Sequence, residues 1–328
     1  MCGWEVNLSQ VSLRTIQEAS ERVSKFAYKT PLYLSPALSN LTNAEVHLKL
    51  ESYQPIRVFK VRGAANKILQ LPAEERKKGL VAASSGNHGL AVSYLAKATG
   101  VPATIVVPTT VVEEKARAIE EYGATIIKEG RFHDERFAKA LEIQRSTGAV
   151  LIPPFDDPAI IAGQGTIGLE IFESLPDVNV VVVPIGGGGL ISGIATAIKS
   201  LKPDVRVVGV EPVRASSMHA SVKNGKITRL EDTTSIADGL ATREPGKLTF
   251  ECVRRYVDEI LLVSEEQIEK AVYTTMKECH LIIEPSAAAA VAALLEKLHP
   301  QETAKIAVVV SGGNVSLKLL STILSKYS

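Results

Sequence analysis

The sequence predicts an α/β fold with mostly parallel strands. Short runs rich in β-branched residues alternate with longer helical patterns along the whole chain, which is typical of parallel sheets with helices between the strands. Several of these runs are almost wholly apolar, as expected for strands that are covered on both faces. The chain has 328 residues, of which 45% are hydrophobic, and this length fits two domains or one large one.

The apolar runs predict eight strands. They are Val46–Leu50, Leu80–Ala83, Ala103–Val107, Ala124–Lys128, Val178–Val183, Val205–Val210, Glu259–Val263 and Ile306–Val310. Between them, apolar residues recur at helical spacing. The predicted helices are Phe59–Leu71, Leu90–Thr99, Val112–Tyr122, Asp134–Thr147, Thr166–Ser174, Leu190–Leu201, Glu265–Cys279 and Ser286–Leu298.

Charge and cysteine content exclude several classes of protein. The chain carries 36 acidic and 37 basic side chains, which argues against a disordered chain and against nucleic acid as the main partner. Three scattered cysteines without a CxxC pair are typical of a reducing compartment. The first ten residues lack the apolar run of a secretory signal. We therefore predict a cytoplasmic protein.

One segment imitates a membrane span. Residues Val178–Ile198 carry no charge and are numerous enough to cross a bilayer. The segment also contains Pro184 and the glycine run Gly186–Gly189, which would break a spanning helix. We predict a buried strand, a loop and the start of a helix instead, and no membrane partner.

A lysine heads the apolar stripe of the predicted helix Phe59–Leu71. Lys60 shares the spacing of Ala64, Ile68 and Leu71, so its side chain points toward the interior. Two interpretations remain open at this point. Either the ammonium reaches water at the helix end, or it is a desolvated amine of lowered pKa that is ready to form a Schiff base. Arg62, Asn66 and Gln70 share the polar face of the same helix.

Two loops have the composition of anion-binding sites. The loop Ser84–Gly89 (SSGNHG) joins a predicted strand to a helix, where serine and asparagine cap the helix and free N–H groups attract carboxylate or phosphate. The loop Gly186–Gly189 occupies the same kind of junction, and four glycines let the backbone N–H groups converge on an anion. It fits neither GxGxxG nor the Walker A pattern, which favours a small phosphorylated cofactor.

A third loop, Ser311–Asn314 (SGGN), follows the last predicted strand. Its hydroxyl would project from the carboxyl end of a parallel strand, where α/β proteins build their sites. By itself this loop is equally compatible with an ordinary turn.

Taken together, FKVRGA, SSGNHG, GGGG and SGGN resemble the motifs of the fold-type II pyridoxal-phosphate enzymes, specifically the serine/threonine dehydratase and serine racemase family. The resemblance covers nearly the whole chain, in the family's order. It implies an α/β fold of two open, twisted, mostly parallel sheets with flanking helices, like the β subunit of tryptophan synthase. It also implies a large cofactor-binding domain, residues 1–47 plus 152–328, and a small substrate-carboxylate domain, residues 48–151.

The resemblance assigns roles to residues of this chain. Lys60 would carry pyridoxal 5′-phosphate as a Schiff base and then remove the substrate Cα proton, while Ser85 would act on the opposite face of the cofactor. The implied cofactor-binding residues are Phe59, Lys60, Asn87, Gly186, Gly187, Gly188, Gly189, Gly239 and Ser311. The implied substrate-carboxylate residues are Ser84, Ser85, Asn87 and His88.

Two departures from the family pattern affect these expectations. Ile56–Val58 replaces the usual TGS before Phe-Lys and introduces Arg57, a change that would alter substrate choice or the shape of the loop. Glu211 and Ala215 match two members of a divalent-cation site, but Ser217 replaces its aspartate. One carboxylate makes a weak site for a hard cation, so a divalent cation is left open.

The implied activity is a lyase reaction. A pyridoxal-phosphate dependent dehydratase would convert a β-hydroxy amino acid such as L-threonine or L-serine to a 2-oxo acid and ammonia. Because Ser85 is retained, a serine or amino-acid racemase is the alternative. A catalytically poor protein that binds the cofactor or an amino acid is a second one. The family resemblance also implies a homodimer or a higher homo-oligomer.

Overall fold

A computed structural model of the protein describes residues 8–84, 86–111, 113–130, 133–299 and 303–328. The sequence predictions that concern Cys2, Ser85 and the start of a helix at Val112 lie outside the described residues.

The described residues form ten β-strands. They are β1 Leu32–Leu34, β2 Glu45–Leu50, β3 Leu80–Ala83, β4 Ala103–Val107, β5 Thr125–Lys128, β6 Val150–Leu151, β7 Val180–Pro184, β8 Arg206–Pro212, β9 Glu259–Val263 and β10 Lys305–Val310. One sheet has six strands in the order β1-β2-β10-β7-β8-β9, and the other has four in the order β5-β4-β3-β6. Neighbouring strands are parallel except for the edge pair β1 and β2. The predicted α/β fold with two mostly parallel sheets is thus confirmed.

The same residues form fourteen α-helices. They are α1 Leu13–Val23, α2 Pro36–Thr42, α3 Lys60–Gln70, α4 Ala73–Lys77, α5 Asn87–Thr99, α6 Glu113–Glu120, α7 His133–Thr147, α8 Pro158–Ser174, α9 Gly189–Leu201, α10 Ser217–Asn224, α11 Lys247–Tyr256, α12 Glu265–Cys279, α13 Pro285–Glu296 and α14 Leu317–Tyr327. The uncharged segment that imitates a membrane span forms β7, a glycine loop and most of α9, as predicted. Within the described parts of the chain, no helix is long and apolar enough to cross a membrane.

All eight predicted strands are present, with bounds that differ by at most two residues. Strands β1 and β6 were not predicted, because strands of three and two residues are too short to show a pattern. Helix α1 was not predicted either, although Ser12 and Thr15 form a reciprocal capping box at its start, which is a readable sequence signal. The proposed domain division stays a prediction, and β2 of the six-stranded sheet runs across its boundary at residue 47.

Small apolar residues allow a helix to lie directly on the six-stranded sheet. In α13 every residue from Ala287 to Leu294 is buried, as expected for a helix that is covered on all sides. These residues share one hydrophobic core with the inward-facing residues of the sheet, among them Val182, Val208 and Val308. A second core surrounds α3 and α5 and reaches the four-stranded sheet. The loops at the carboxyl ends of β3, β7 and β10 are therefore held on rigid elements.

Candidate active site

A cavity of about 1660 Å³ is lined by the segments for which the sequence predicts a binding site. Its lining includes Lys60 at the start of α3, Asn87 at the start of α5, the glycine loop after β7, and Ser311 after β10. Each of these loops lies at the carboxyl end of a parallel strand or at the start of a helix. Free N–H groups and strand-end side chains converge at such positions.

Lys60 is a partly buried amine at the wall of this cavity. Its Nζ donates a hydrogen bond of 2.7 Å to the carbonyl oxygen of Pro154 and lies 5.1 Å from the centre of the Phe59 ring. Burial lowers the pKa of Lys60 to about 8, and the nearby carboxylate of Glu284 opposes this shift. Of the two interpretations of Lys60, the structure favours the desolvated amine over an ammonium that reaches open water.

Glu284 is a residue of this cavity that the sequence analysis missed. Both of its carboxylate oxygens accept hydrogen bonds of 3.0 Å from the Asn87 side-chain amide, and the Asn314 backbone N–H donates to one of them at 3.2 Å. Burial raises the pKa of Glu284 to about 7, against the effect of the Asn87 hydrogen bonds. The available signal was an acid placed between an apolar run and Pro285 at a helix start.

The amide of Asn87 is oriented by its neighbours. Its Oδ1 accepts a hydrogen bond of 2.9 Å from the Asn314 side chain, while its nitrogen donates to Glu284. Asn314 in turn donates to the carbonyl oxygen of Ile56. This chain of contacts holds the start of α5 against the loop after β10, so that Asn87 faces the cavity in one orientation.

His88 lines the cavity, but its ring nitrogen is engaged within the protein. Its Nε2 lies 2.8 Å from the carbonyl oxygen of Ile152, and the ring is buried. Burial lowers the pKa of His88 to about 3, with a further contribution from the Lys60 charge. The ring is therefore neutral at physiological pH, and because the carbonyl only accepts, Nε2 carries the proton. His88 braces the loop, while its predicted contact with a substrate carboxylate stays a prediction.

Ser84 and Ser85 were both predicted to hold the substrate carboxylate. Ser84 lines the cavity, and its hydroxyl accepts the Gly86 N–H at 3.2 Å. Ser85 lies outside the described residues.

The glycine loop has the form of an anion cradle. Gly187, Gly188 and Gly189 are buried, and no described residue accepts a hydrogen bond from their N–H groups, a costly state unless an anion satisfies them. Gly188 has a φ of +93°, which favours glycine. A Cβ on Gly187 would lie 2.3 Å from the Phe155 ring. The loop thus fits the phosphate group that the sequence predicts here.

The remaining predicted cofactor residues also line the cavity. Ser311 is 2% exposed, and its carbonyl oxygen accepts the Phe59 N–H at 3.0 Å. Gly239 donates its N–H to the hydroxyl of Ser286 at 3.0 Å, and its carbonyl oxygen lies 3.0 Å from where a Cβ on Gly186 would be. The structure brings all the predicted cofactor residues to one cavity, while their roles there remain predictions.

The residues predicted to bind a divalent cation offer few free ligand atoms. Glu211 is fully buried, and its two oxygens accept the N–H groups of Met218 at 2.9 Å and His219 at 2.7 Å. Burial raises the pKa of Glu211 to about 8, against these two hydrogen bonds. The hydroxyl of Ser217 is buried without a hydrogen-bond partner, and the described residues contain no group of three acidic, histidine or cysteine side chains suited to a metal. This set of donors does not fit a divalent cation.

Replacing Ser217 with aspartate should create a divalent-cation site, because it adds a second carboxylate beside Glu211. Without added metal, Ser217→Asp is expected to lower the free energy of unfolding by about 2 kcal/mol, because it places a second acid beside buried Glu211. Millimolar Ca²⁺ or Mg²⁺ should recover that loss in the variant, as measured by thermal unfolding. Ser216→Asp is the control, since Ser216 is only partly buried. A metal response as large in the control or in the unaltered protein would contradict the expectation.

Comparison with known proteins identifies the class of protein that this fold and cavity define. A family model described as "Pyridoxal-phosphate dependent enzyme" matches residues 23–312, so the chain belongs to that family. The family, the fold class and the cofactor predicted from the sequence are thereby confirmed.

Individual proteins are similar over almost the whole chain. The L-threonine ammonia-lyase of Thermotoga maritima is 46% identical over 316 residues, covering 96% of this chain and 79% of that protein. The catabolic L-threonine dehydratase of Escherichia coli is 42% identical over 315 residues, with coverage of 95% and 96%. The structure of maize serine racemase superposes with a TM-score of 0.92 at 36% identity, covering 97% of this chain and 98% of the other.

Proposed function

We propose that this protein is an ammonia-lyase that converts a β-hydroxy amino acid, L-threonine or L-serine, to a 2-oxo acid and ammonia. The observation that carries the proposal is Lys60, a desolvated amine in a cavity that is also lined by the glycine cradle and Ser311. The similarity to two proteins named for threonine deamination supports the choice of substrate.

The cofactor supplies an electron sink that acidifies the Cα–H bond of a bound amino acid. Gly187, Gly188 and Gly189 would hold its phosphate, and Lys60 would attach it covalently. Lys60 would also be the base that removes the Cα proton, because an amine with a pKa of about 8 is a competent base at physiological pH.

Two serine hydroxyls, those of Ser311 and Ser84, would contact the cofactor ring and the substrate carboxylate. The Ser311 hydroxyl would face the pyridine nitrogen, and a neutral hydroxyl stabilises a protonated ring less than a carboxylate does. The site would therefore favour loss of the β-hydroxyl, which leaves as water together with the proton taken from Cα. Ser84, with the start of α5, would hold the substrate carboxylate through its hydroxyl and the free N–H groups there.

A substrate panel tests the proposal. Purified protein with pyridoxal 5′-phosphate is incubated with L-serine, L-threonine and 3-hydroxyaspartate, and both 2-oxo acids and amino-acid enantiomers are measured. We expect oxo acid from L-threonine or L-serine. Formation of a D-amino acid without oxo acid would support a racemase, which the similarity to maize serine racemase makes the alternative. Cofactor binding without either product would support the binding protein.

The rate at which the apoprotein captures pyridoxal 5′-phosphate should depend on pH. Only the neutral amine of Lys60 attacks the aldehyde, so the rate should rise about tenfold per pH unit and level off above a pH of about 8. An ordinary lysine would show a continued rise toward pH 10.5. The increase in cofactor absorbance after stopped-flow mixing measures this rate.

A substitution of Glu284 should shift the pH dependence of this capture rate in a known direction. Its negative charge raises the pKa of Lys60, so Glu284→Gln should move the midpoint to lower pH. Glu278→Gln, which changes an exposed glutamate, should leave the midpoint in place. A shift toward higher pH in Glu284→Gln would show that the two groups do not interact in this way.

We also propose that the protein is a homodimer or a higher homo-oligomer. Several large apolar side chains are exposed, including Leu317 at 81%, Tyr53 at 53% and Ile282 at 53%, and a subunit interface would remove such side chains from water. Light scattering coupled to size exclusion tests this assembly, and a monomeric mass would exclude it.

A further inference from the structure

A short segment, Pro154–Asp157, connects the amine of Lys60 to the glycine cradle. Pro154 accepts the hydrogen bond from Lys60, and the ring of the next residue, Phe155, packs against Gly187. Asp156 then contacts α11, and Asp157 caps α8. Four consecutive residues thus contact Lys60, the glycine loop and the starts of α11 and α8, and none of them belongs to a motif on which the cofactor predictions rest.

Asp156 caps a helix that lacks a cap of its own. Helix α11 begins after Gly246, which has no side chain to accept its free N–H groups. The Asp156 carboxylate accepts them instead, from Lys247 at 2.9 Å, Leu248 at 3.0 Å and Thr249 at 3.2 Å. A carboxylate here also offsets the positive end of the helix dipole.

Helix α11 in turn holds the cradle. The Thr249 hydroxyl donates a hydrogen bond of 2.7 Å to the carbonyl oxygen of Gly187, and the Gly246 N–H points at the same oxygen from 3.5 Å. Thr249 is fully buried, and its Cβ lies 2.9 Å from where a Cβ on Gly188 would be. With the Gly187 carbonyl oxygen occupied on this side, the loop keeps its N–H groups available for an anion.

We propose that Asp156 is a positioning residue of the phosphate site, acting through the start of α11 and Thr249 on the carbonyl of Gly187. This proposal rests on the proposed function, because it takes the cofactor phosphate to be the anion that the cradle binds. Asp156 does not bind that anion, because its negative charge would repel it. Any gain in affinity from Asp156 therefore comes through the geometry of the loop, and Asp156→Asn, which removes the charge but keeps an acceptor oxygen, separates the two effects.

The phosphate contribution can be measured separately from other effects. The apoprotein is titrated with pyridoxal 5′-phosphate and with pyridoxal, which lacks only the phosphate. The dissociation constant for pyridoxal divided by that for pyridoxal 5′-phosphate measures what the cradle contributes to binding. We expect Asp156→Ala to reduce this ratio by about fivefold, the effect of losing a helix cap. Asp156→Asn retains acceptor oxygen and should keep the ratio within about twofold of the unaltered protein.

Two further variants make the test specific. Thr249→Val removes the hydrogen bond to Gly187 while keeping the shape of the side chain, so it should reduce the ratio as Asp156→Ala does, and the effects of the two should not add. Asp157→Ala removes the neighbouring cap, which accepts N–H groups of α8 at 2.9 and 3.2 Å. It should weaken both ligands equally, if it weakens either, and leave the ratio unchanged.

Several results would overturn the proposal. Equal weakening of both ligands in Asp156→Ala would make Asp156 a merely structural cap. A reduced ratio in Asp157→Ala would make cap loss in general the cause. Should Asp156→Ala not fold, an unchanged ratio in Thr249→Val would be decisive against it. An unaltered protein that binds both ligands equally well would contradict the cofactor site of the proposed function and this proposal together, whereas the other results leave the proposed function intact.

Discussion

Replacing Lys60 with alanine is expected to reduce oxo acid formation by about 10³-fold or more, since the variant loses both the covalent attachment point and the base. The change removes a side chain that faces a cavity, so folding should be little affected. Initial rates with L-threonine, together with the melting temperature, measure the two effects separately.

The matched control is Lys67→Ala on the same helix. Lys67 forms an ion pair of 2.7 Å with Asp157, and its variant should retain most of the activity. Borohydride reduction followed by peptide mass analysis should place the cofactor on Lys60 in the unaltered protein. Cofactor found on another lysine, or a Lys60→Ala protein with near-normal turnover, would refute the assignment.

Arg62→Leu is expected to have the largest effect on stability. The Arg62 guanidinium donates to Glu51 at 2.7 and 2.8 Å and to Glu170 at 2.6 Å, and the side chains of Arg62 and Glu51 are 1% and 0% exposed. Removing the cation leaves the buried carboxylate of Glu51 without its ion-pair partner, although Lys49 still pairs with Glu170, and breaking a buried pair typically costs about 3–5 kcal/mol. Urea or thermal unfolding measures the loss.

An exposed ion pair serves as the control for Arg62. Arg14 and Glu18 pair at 2.9 Å with exposed fractions of 87% and 49%, so Arg14→Leu should change the free energy of unfolding by no more than about 0.5 kcal/mol. Comparable losses in Arg14→Leu and Arg62→Leu would show that burial of the network is not what matters.

The effect of Arg62→Leu should also depend on pH. Burial alone would raise the pKa of Glu51, but Arg62 and the hydrogen bonds to it lower the pKa below its ordinary value of 4.5. The resulting stabilisation is present above pH 4.5 and is lost as the pH falls through the lowered pKa. The deficit of the variant should therefore be larger at pH 7 than at pH 4.

The position of this network was not predictable from the helix pattern. Arg62 and Asn66 share a polar face, and such a face ordinarily meets water. Both are buried here, at 1% and 0% exposed, because α1 and α8 pack on that face. Arg62 pairs with Glu170, while Asn66 hydrogen-bonds to Arg22 and to the carbonyl of Ala159. Periodicity shows which residues share a face, but not what lies opposite it.

The site divides along similar lines. The glycine cradle, the loop around Asn87 and Ser311 were predictable, because each belongs to a short motif that follows a strand. Among the described residues, the side-chain cap predicted at the start of α5 is absent, since that helix begins after a glycine without a side-chain cap bond. Glu284 and Asp156 were not predictable, since each acts on residues that are remote in sequence. The departure at Arg57 is visible in the structure as a left-handed residue with φ of +58°, and its effect on substrate choice stays a prediction.

The sequence by itself determined the alternation of strands and helices, the family and the cofactor, because periodicity, glycine runs and short motifs are properties of contiguous residues. Only the tertiary structure decided the charge state of Lys60, the neutral form of His88 and the pairing of Arg62. These depend on desolvation and on the charges that folding places nearby. The phosphate cradle depends on both the sequence and the tertiary structure. Its glycines are visible in the sequence, whereas Asp156 and α11, which hold it, reach it only through the fold.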